Sequence, residues 1–273
     1  MPSVIGKALL EREIACHYQP IIDAYQEKIV YYETLVRQKD KNGAIIGPLD
    51  FLHTIENKKL AAHLTQEVFW QSSKIFSNNQ EHFSLNLPLI AVSDKSTSMM
   101  LESMIRNSNF SERIIFEIQA SDWIYFQGVF SIYIHKLKDL GVRFAIDDFG
   151  HGKFSFEMLD YLEADIIKID GMFFKSGSDP LWRSTIVRSI VEYAHKNNMM
   201  TIAEEIDSYE AFGNAQSYGV DSMQGFYIQH PTSWDTMENK EIDWLITRNY
   251  FPCTPKYRTW IPKHVGNDEN VFC

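Results

Sequence analysis

Cysteine and positive charge are both scarce in this sequence of 273 residues. The three cysteines, Cys16, Cys253 and Cys273, form no Cys-x-x-Cys spacing, so they indicate neither a disulfide framework nor a cysteine-bound zinc site. This usage fits a reducing compartment, and we predict a cytoplasmic protein. A formal charge of −10 at pH 7 argues against binding along polymeric nucleic acid, which requires clustered lysines and arginines. A small phosphate ligand held through metal ions remains compatible with that charge.

Long apolar runs and several catalytic motifs are also missing. No apolar stretch approaches the roughly 20 residues that span a bilayer, and the N-terminus lacks a signal pattern, so we predict no membrane insertion. The sequence contains no Walker-type loop, no Gly-x-Ser-x-Gly elbow and no His-x-x-x-His pair. These absences argue against a P-loop nucleotide site, a serine hydrolase elbow and a histidine-bound zinc centre.

Short segments rich in β-branched and aromatic residues alternate with stretches of helical periodicity. The predicted strands lie at about 14–22, 27–36, 82–87, 113–118, 142–147, 164–169, 199–204 and 220–228. Hydrophobic residues make up 45 % of the chain, enough for a large core. Eight strands alternating with helices predict an α/β fold, a TIM-like (β/α)8 barrel, in preference to a doubly wound sheet.

Two departures from an ideal barrel are predicted. Only residues 23–26 join the first two strands, too few for a helical crossover, so the first strand should be antiparallel to the second. We assign residues 1–235 to the barrel and residues 236–273 to a C-terminal extension that is rich in aromatic residues and proline. The extension is expected to pack on the barrel, with a partner-binding arm as the alternative.

Polar side chains occur at or near the ends of nearly all the predicted strands, where barrels place their chemistry. They are Glu33, Asn86, Glu117, Asp147, Asp148, Lys168, Asp170, Glu204 and Gln224. Each one alone could be a helix cap, a turn residue or a surface ion pair. Together they predict carboxylates and amides converging on one barrel mouth, where oxygen ligands select hard cations such as Mg²⁺ or Mn²⁺. The number of these ligands predicts a site for two metal ions.

The same segments resemble the EAL family of cyclic di-GMP phosphodiesterases over about residues 14 to 231. Tyr18-Gln19-Pro20 is similar to the opening strand of the family, and Glu33-Thr34-Leu35-Val36-Arg37 resembles its Glu-Ala-Leu-x-Arg signature. Asp147 to Gly152 resembles Asp-Asp-Phe-Gly-Thr-Gly, and Ile167-Lys168-Ile169-Asp170, Ala203-Glu204 and Gln224-Gly225 follow in the order of the family.

The resemblance implies a barrel with a reversed first strand that cleaves cyclic di-GMP to linear pGpG. It implies that two Mg²⁺ or Mn²⁺ ions are held by Glu33, Asn86, Glu117, Asp147 and Asp148. Catalytic roles, in activating or orienting the attacking water or supporting its metal, would fall to Lys168, Glu204, Gln224 and Asp170. Gln19 and Arg37 would touch the ligand, and a homodimer is expected.

Three departures from the family pattern leave other functions open. The family reads Glu-x-Thr-Glu where this chain has Ala120 at the last position, His151 replaces a threonine, and Glu205 replaces a glycine. The first two changes affect support of the aspartate pair, not the ligands, and predict reduced activity. The alternatives are a weak or inactive barrel that binds cyclic di-GMP or a protein partner, and a metal-dependent phosphodiesterase acting on another substrate.

Overall fold

A computed structural model describes residues 13–40, 42–48, 58–150, 159, 162–175 and 181–238, with the backbone alone for residues 123–129. The strands are β1 Glu13–Asp23, β2 Ile29–Lys39, β3 Ile45–Ile46, β4 Phe83–Asn86, β5 Ile114–Gln119, β6 Arg143–Phe149, β7 Ile166–Ile169, β8 Met200–Ala203 and β9 Ser222–Met223. The helices are α1 Lys58–Phe76, α2 Leu89–Val92, α3 Lys95–Arg106, α4 Ala120–Lys138, α5 Leu181–Lys196, α6 Tyr209–Tyr218 and α7 Trp234–Glu238.

The strands close into a barrel, which confirms the predicted fold class. The order β1-β9-β8-β7-β6-β5-β4-β2 is closed by pairing of β1 with β2, and β3 extends β2 as a hairpin. Strand β1 runs antiparallel to both β2 and β9, while the pairs from β2–β4 to β8–β9 are parallel. The short first connection therefore produces the reversed first strand expected from its length.

Two details differ from the predicted strands. Strand β9 contains only two residues instead of the nine-residue segment 220–228, because the chain turns at Gly225. A Cβ on Gly225 would overlap the backbone of Ile206, so this close approach of two loops ends the strand. The hairpin strand β3 was not predicted, since two residues give no detectable periodicity.

An apolar layer fills the barrel interior directly beneath the polar strand ends. Its buried members are Ile21, Tyr31, Ile115, Ala145, Ile166, Met200 and Ile202. Because side chains alternate along a strand, residues two positions apart point to the same side. Tyr31, Ile115, Ala145, Ile166 and Ile202 each lie two positions before a polar residue of the predicted site. The polar groups consequently form the next layer towards the mouth.

The Trp234 ring helps to anchor the residues between the last strand and Glu238 to the outside of the barrel, together with backbone hydrogen bonds between Thr232 and Tyr18. Trp234 makes edge-on contacts with Tyr18, Tyr32 and Phe76, at centroid distances of 5.4, 5.2 and 5.1 Å. The remaining residues of the predicted extension, 239–273, lie outside the described residues. Within the described residues, no helix combines the length and apolarity needed to cross a membrane.

Asp221 ties three elements together at the end of the barrel opposite the mouth. One carboxylate oxygen accepts hydrogen bonds from both the backbone N–H and the hydroxyl of Thr201, at 2.8 and 2.7 Å. The other lies 2.9 Å from Nε2 of His195, near the end of α5. This hydrogen bond raises the pKa of His195 above its ordinary value.

A raised histidine pKa stabilises the fold at low pH, with an effect that disappears as pH rises through the folded-state pKa. We therefore expect His195→Gln to lower the melting temperature at pH 6 and to have a smaller effect at pH 9. Thermal unfolding followed by circular dichroism at both pH values measures this difference. An equal loss at both pH values would show that the charge on His195 contributes nothing.

Candidate metal centre

The barrel brings eight of the predicted polar side chains to one mouth. Glu33, Asn86, Glu117, Asp147 and Lys168 lie on β2, β4, β5, β6 and β7, while Glu204 and Gln224 immediately follow β8 and β9. Gln19 joins them from the reversed strand β1, where it is in register with Glu33. The parallel strands end at the same edge of the barrel, so residues distant in sequence meet there.

Lys168 lies at the centre of this cluster. Its ammonium nitrogen is 3.3 Å from Glu33 Oε2, 2.7 Å from Glu117 Oε2, 3.0 Å from Asp147 Oδ1 and 2.9 Å from Glu204 Oε1. The lysine is only 1 % exposed. A charged lysine at this depth requires carboxylate partners. We call Lys168 and these four carboxylates the acidic ring.

Amide side chains surround Glu33 within the site. Gln224 donates from Nε2 to Glu33 Oε2 at 2.5 Å and to Gln19 Oε1 at 3.0 Å. Asn86 donates to the second oxygen of Glu33 at 3.2 Å. Gln19 in turn donates to the backbone carbonyl of Gln229 at 2.8 Å. The carbonyl of Gln229 was not identified from the sequence, because a backbone group carries no residue signal.

A second group of acids lies at the outer side of the ring. Asp147, Asp148 and Glu204 each offer a carboxylate oxygen, and these oxygens lie within 4.8 Å of one another. Asp148 adopts a left-handed backbone conformation with a φ of 55°, which a residue with a Cβ adopts at a cost. Asp148 lies within β6, where the pairing with β7 shifts register between Ile146 and Phe149.

Burial controls the protonation of the ring. It raises the pKa of Glu117 to about 8, with the carboxylate of Glu33 adding to the effect. Burial likewise raises the pKa of Glu204 well above its ordinary value, and Asp147 adds to it. For Lys168, burial alone would lower the pKa, but the four carboxylates outweigh burial and hold the pKa well above its ordinary value. The lysine is therefore the charged partner.

The oxygen atoms left over in the site fit a hard divalent cation. Glu117 Oε1, Glu204 Oε2 and Gln224 Oε1 are buried, and none has a hydrogen-bond partner. Buried polar atoms without a partner are costly, and such atoms in a native site call for an explanation such as an ion or water. Carboxylate and amide oxygens without nitrogen or sulfur donors suit Mg²⁺ or Mn²⁺. The donor set therefore fits the predicted metal chemistry.

Two predicted residues make local contacts at the edge of the site. Arg37 Nη1 donates to the carbonyl of its neighbour Val36 at 2.8 Å. Asp170 Oδ1 accepts from the backbone N–H of Met172 at 2.7 Å, at the start of a single 3₁₀ turn. Their roles in binding and catalysis stay predictions, as do those of the other site residues. His151, the altered residue of the aspartate loop, lies outside the described residues.

Glu205 is a further unusual residue at the mouth. It replaces the glycine expected from the resemblance and takes a left-handed conformation with a φ of 50°. Its carboxylate lies 3.3 Å from the ammonium of Lys175. Gly171 lies so close that a Cβ there would overlap the Glu205 side chain. The glutamate is thus accommodated by an exposed ion pair and by a glycine opposite.

A groove on the outside of the barrel is separate from the acidic ring. It has a volume of about 650 Å³ and runs between β1 and α1, along Ile14, Cys16, Trp70 and Gln71. None of the acidic-ring carboxylates lines it. Cys16, which does, is a buried thiol whose pKa is raised to about 12 by burial, so it is unreactive. The carboxylates of the acidic ring therefore lie at the mouth and not in this groove.

Comparison with known proteins assigns the chain to a family. Residues 4–231 match the EAL domain family, and the chain belongs to that family. It is 28 % identical over 208 residues to cyclic di-GMP phosphodiesterase PdeF of Escherichia coli (strain K12), covering 74 % of this chain and 28 % of PdeF. It is 30 % identical over 236 residues to probable cyclic di-GMP phosphodiesterase PdeA of the same strain, covering 84 % of this chain and 32 % of PdeA. The chain therefore spans less than a third of either relative.

Solved structures agree with the barrel. An EAL domain protein from Listeria monocytogenes EGD-e superposes with a TM-score of 0.77 at 26 % identity, covering 86 % of this chain and 94 % of the other. The EAL domain of FimX from Pseudomonas aeruginosa, bound to c-di-GMP, gives a TM-score of 0.71 at 21 % identity, covering 84 % and 93 %. The second likeness establishes the fold alone.

The turn that begins directly after β6 requires a glycine at position 150. Gly150 has a φ of 104°, and a Cβ there would overlap the Phe173 ring. We expect Gly150→Ala to lower the free energy of unfolding by roughly 2–4 kcal/mol, because of backbone strain and overlap with the ring. The variant should also bind Mn²⁺ more weakly.

Gly213→Ala is the control, because this helical glycine has open space around it. Alanine at this position should raise the free energy of unfolding by as much as about 1 kcal/mol. Urea denaturation compares the two variants. Equal stabilities would contradict a packed turn.

Proposed function

We propose that this protein hydrolyses cyclic di-GMP to linear pGpG in a reaction that depends on two divalent metal ions. The observation that carries the proposal is the acidic ring with its buried, partnerless oxygens at the mouth of an EAL barrel. The names of the relatives add the substrate. A site of this composition acts on phosphate oxygens through cations, which suits a dinucleotide with two phosphodiesters.

The residues of the site divide the work by their chemistry. Glu33, Asn86, Glu117, Asp147 and Asp148 would hold the two ions, Mg²⁺ or Mn²⁺. When bound, the ions supply an activated water near neutral pH and neutralise charge on the phosphoryl oxygens. Lys168 and Glu204 orient the water, with Asp170 in a supporting role. Gln224 would support a metal ion and its water, while Gln19 and Arg37 would contact the ligand, with the guanidinium of Arg37 suited to a phosphate.

A receptor without turnover is the second candidate, and Ala120 is the observation that favours it. This residue begins α4 and is 2 % exposed, where the family pattern has a glutamate that braces the aspartate loop. A buried methyl group cannot accept hydrogen bonds from that loop. The loop would then hold the aspartates less firmly, and ligand could bind without efficient cleavage.

Three further expectations stay proposals. The segment from 239 onward would continue the packing begun by Trp234 on the outside of the barrel. A homodimer and a cytoplasmic location remain predictions from the resemblance and from the cysteine content.

We expect purified protein to release linear pGpG from cyclic di-GMP in Mg²⁺ or Mn²⁺, and to stop when the metal is chelated. Glu33→Ala should lower the rate at least about 100-fold, because a ligand lost from the metal site costs more than a supporting residue. Chromatography of the products measures this. Glu192→Ala, which alters an exposed helix pair with Lys196, should leave the rate unchanged. Binding without any metal-dependent product would contradict the enzyme.

Ala120→Glu distinguishes the slow enzyme from the receptor. If the missing brace limits turnover, restoring a carboxylate should raise the rate by roughly 10- to 100-fold. A receptor should show no product with either residue. Thermal unfolding of the variant checks that the buried glutamate is tolerated, and a folded variant with an unchanged low rate would remove the brace as the explanation.

A further inference from the structure

We infer that Lys168 is an internal counter-cation that keeps the acidic ring assembled before metal binds, so that metal ions and the lysine compete for the same carboxylates. The inference rests on the proposed metal site but not on the identity of the substrate. It adds a positioning role to the lysine, distinct from its predicted part in catalysis.

The number of contacts is the first argument. An ammonium group has three N–H donors, yet Lys168 faces four carboxylates within 3.3 Å. The partners come from four different strands or strand ends, so no single local motif explains the arrangement. A lysine that only contacted a water molecule would not need four carboxylates around its ammonium group. Its position is that of a central cation.

Charge balance is the second argument. The carboxylates of Glu33, Glu117, Asp147, Asp148 and Glu204 carry five negative charges when all are ionised, and Lys168 supplies one positive charge. Two divalent cations neutralise the remaining four. Among the described residues, Lys168 is the cation that contacts these carboxylates directly, and the guanidinium of Arg37 also interacts electrostatically with Glu33. Removing it would leave at least four nearly buried carboxylates facing one another, which is strongly unfavourable.

Overlap of ligands is the third argument. Glu33, Glu117 and Asp147 are partners of Lys168 and also proposed metal ligands. Oxygens that contact an ammonium at 2.7–3.3 Å are less available to a divalent ion, and the positive charge repels that ion at short range. Metal loading is then an exchange in which the ammonium gives up part of its contacts. The lysine thereby lowers metal affinity while stabilising the metal-free fold.

Lys168→Met tests this inference, because methionine keeps most of the length of the unbranched side chain without the charge. In chelator at pH 8, the variant should melt about 5–10 °C below the wild type, since a buried charge partner is lost. Its affinity for Mn²⁺, measured by isothermal titration, should rise roughly tenfold as repulsion disappears. Saturating Mn²⁺ should then remove most of the melting difference. The two opposite changes form a signature that loss of a catalytic group alone would not give.

Lys175→Met is the matched control. This lysine pairs with Glu205 near the same mouth at 3.3 Å, but its side chain is 53 % exposed. Substitution there should change neither Mn²⁺ affinity nor the melting temperature in chelator appreciably, because exposed pairs contribute little. If Lys175→Met raised the Mn²⁺ affinity by a similar factor, loss of any nearby positive charge would explain the effect, and the inference would be overturned.

The remaining outcomes separate this inference from the proposed function. Unchanged or weaker Mn²⁺ binding in Lys168→Met overturns the inference while leaving the phosphodiesterase proposal intact. If Lys168→Met binds Mn²⁺ more tightly and the wild-type protein does not cleave cyclic di-GMP, the inference is supported and the proposed phosphodiesterase activity is contradicted. Should Lys168→Met fail to fold, the double variant Lys168→Met with Asp147→Asn removes one charge of each sign from a pair that lies 3.0 Å apart. It should recover folding in chelator, and failure to do so overturns the inference.

Discussion

The contact of one buried ammonium with four carboxylates is the interaction on which the barrel mouth depends. Lys168 is nearly inaccessible to solvent, and its partners belong to β2, β5, β6 and the end of β8. Carboxylates at this depth would repel one another or take up protons without a cation between them. Closure of the sheet makes the contact possible, because residues on different sides of a barrel share one centre.

The apolar layer beneath the ring gives this polar cluster its rigidity. Ile115, Ala145 and Ile166 pack two positions below Glu117, Asp147 and Lys168 on the same strands. A close-packed interior resists small displacements, so the carboxylates cannot move apart to relieve their repulsion. Every second side chain of these strands points into the barrel. The inward-pointing residues of one layer are apolar, and those of the next layer towards the mouth are charged. Stability and chemistry come from the same strand geometry.

Backbone strain is found next to two acids of the ring. Asp148 and Glu205 both adopt left-handed conformations, at φ 55° and 50°, and each directly follows a carboxylate of the ring. Conformations of this kind cost of order 1–3 kcal/mol and persist where the surroundings enforce them. The ring fixes Asp147 and Glu204 through Lys168. The residue that follows each of them adopts the left-handed conformation.

Local sequence patterns determined much of this protein, and closure of the barrel decided the rest. Strand periodicity and the short turn after Asp23 indicated the barrel and its reversed first strand, because both depend on neighbouring residues alone. The polar residues at the strand ends could also be identified from the sequence alone. That Lys168 meets four acids, that Gln19 reaches the carbonyl of Gln229, and that β9 shortens beside Ile206 depend on strand register and on loops distant in sequence. Such contacts exist only once the sheet has closed.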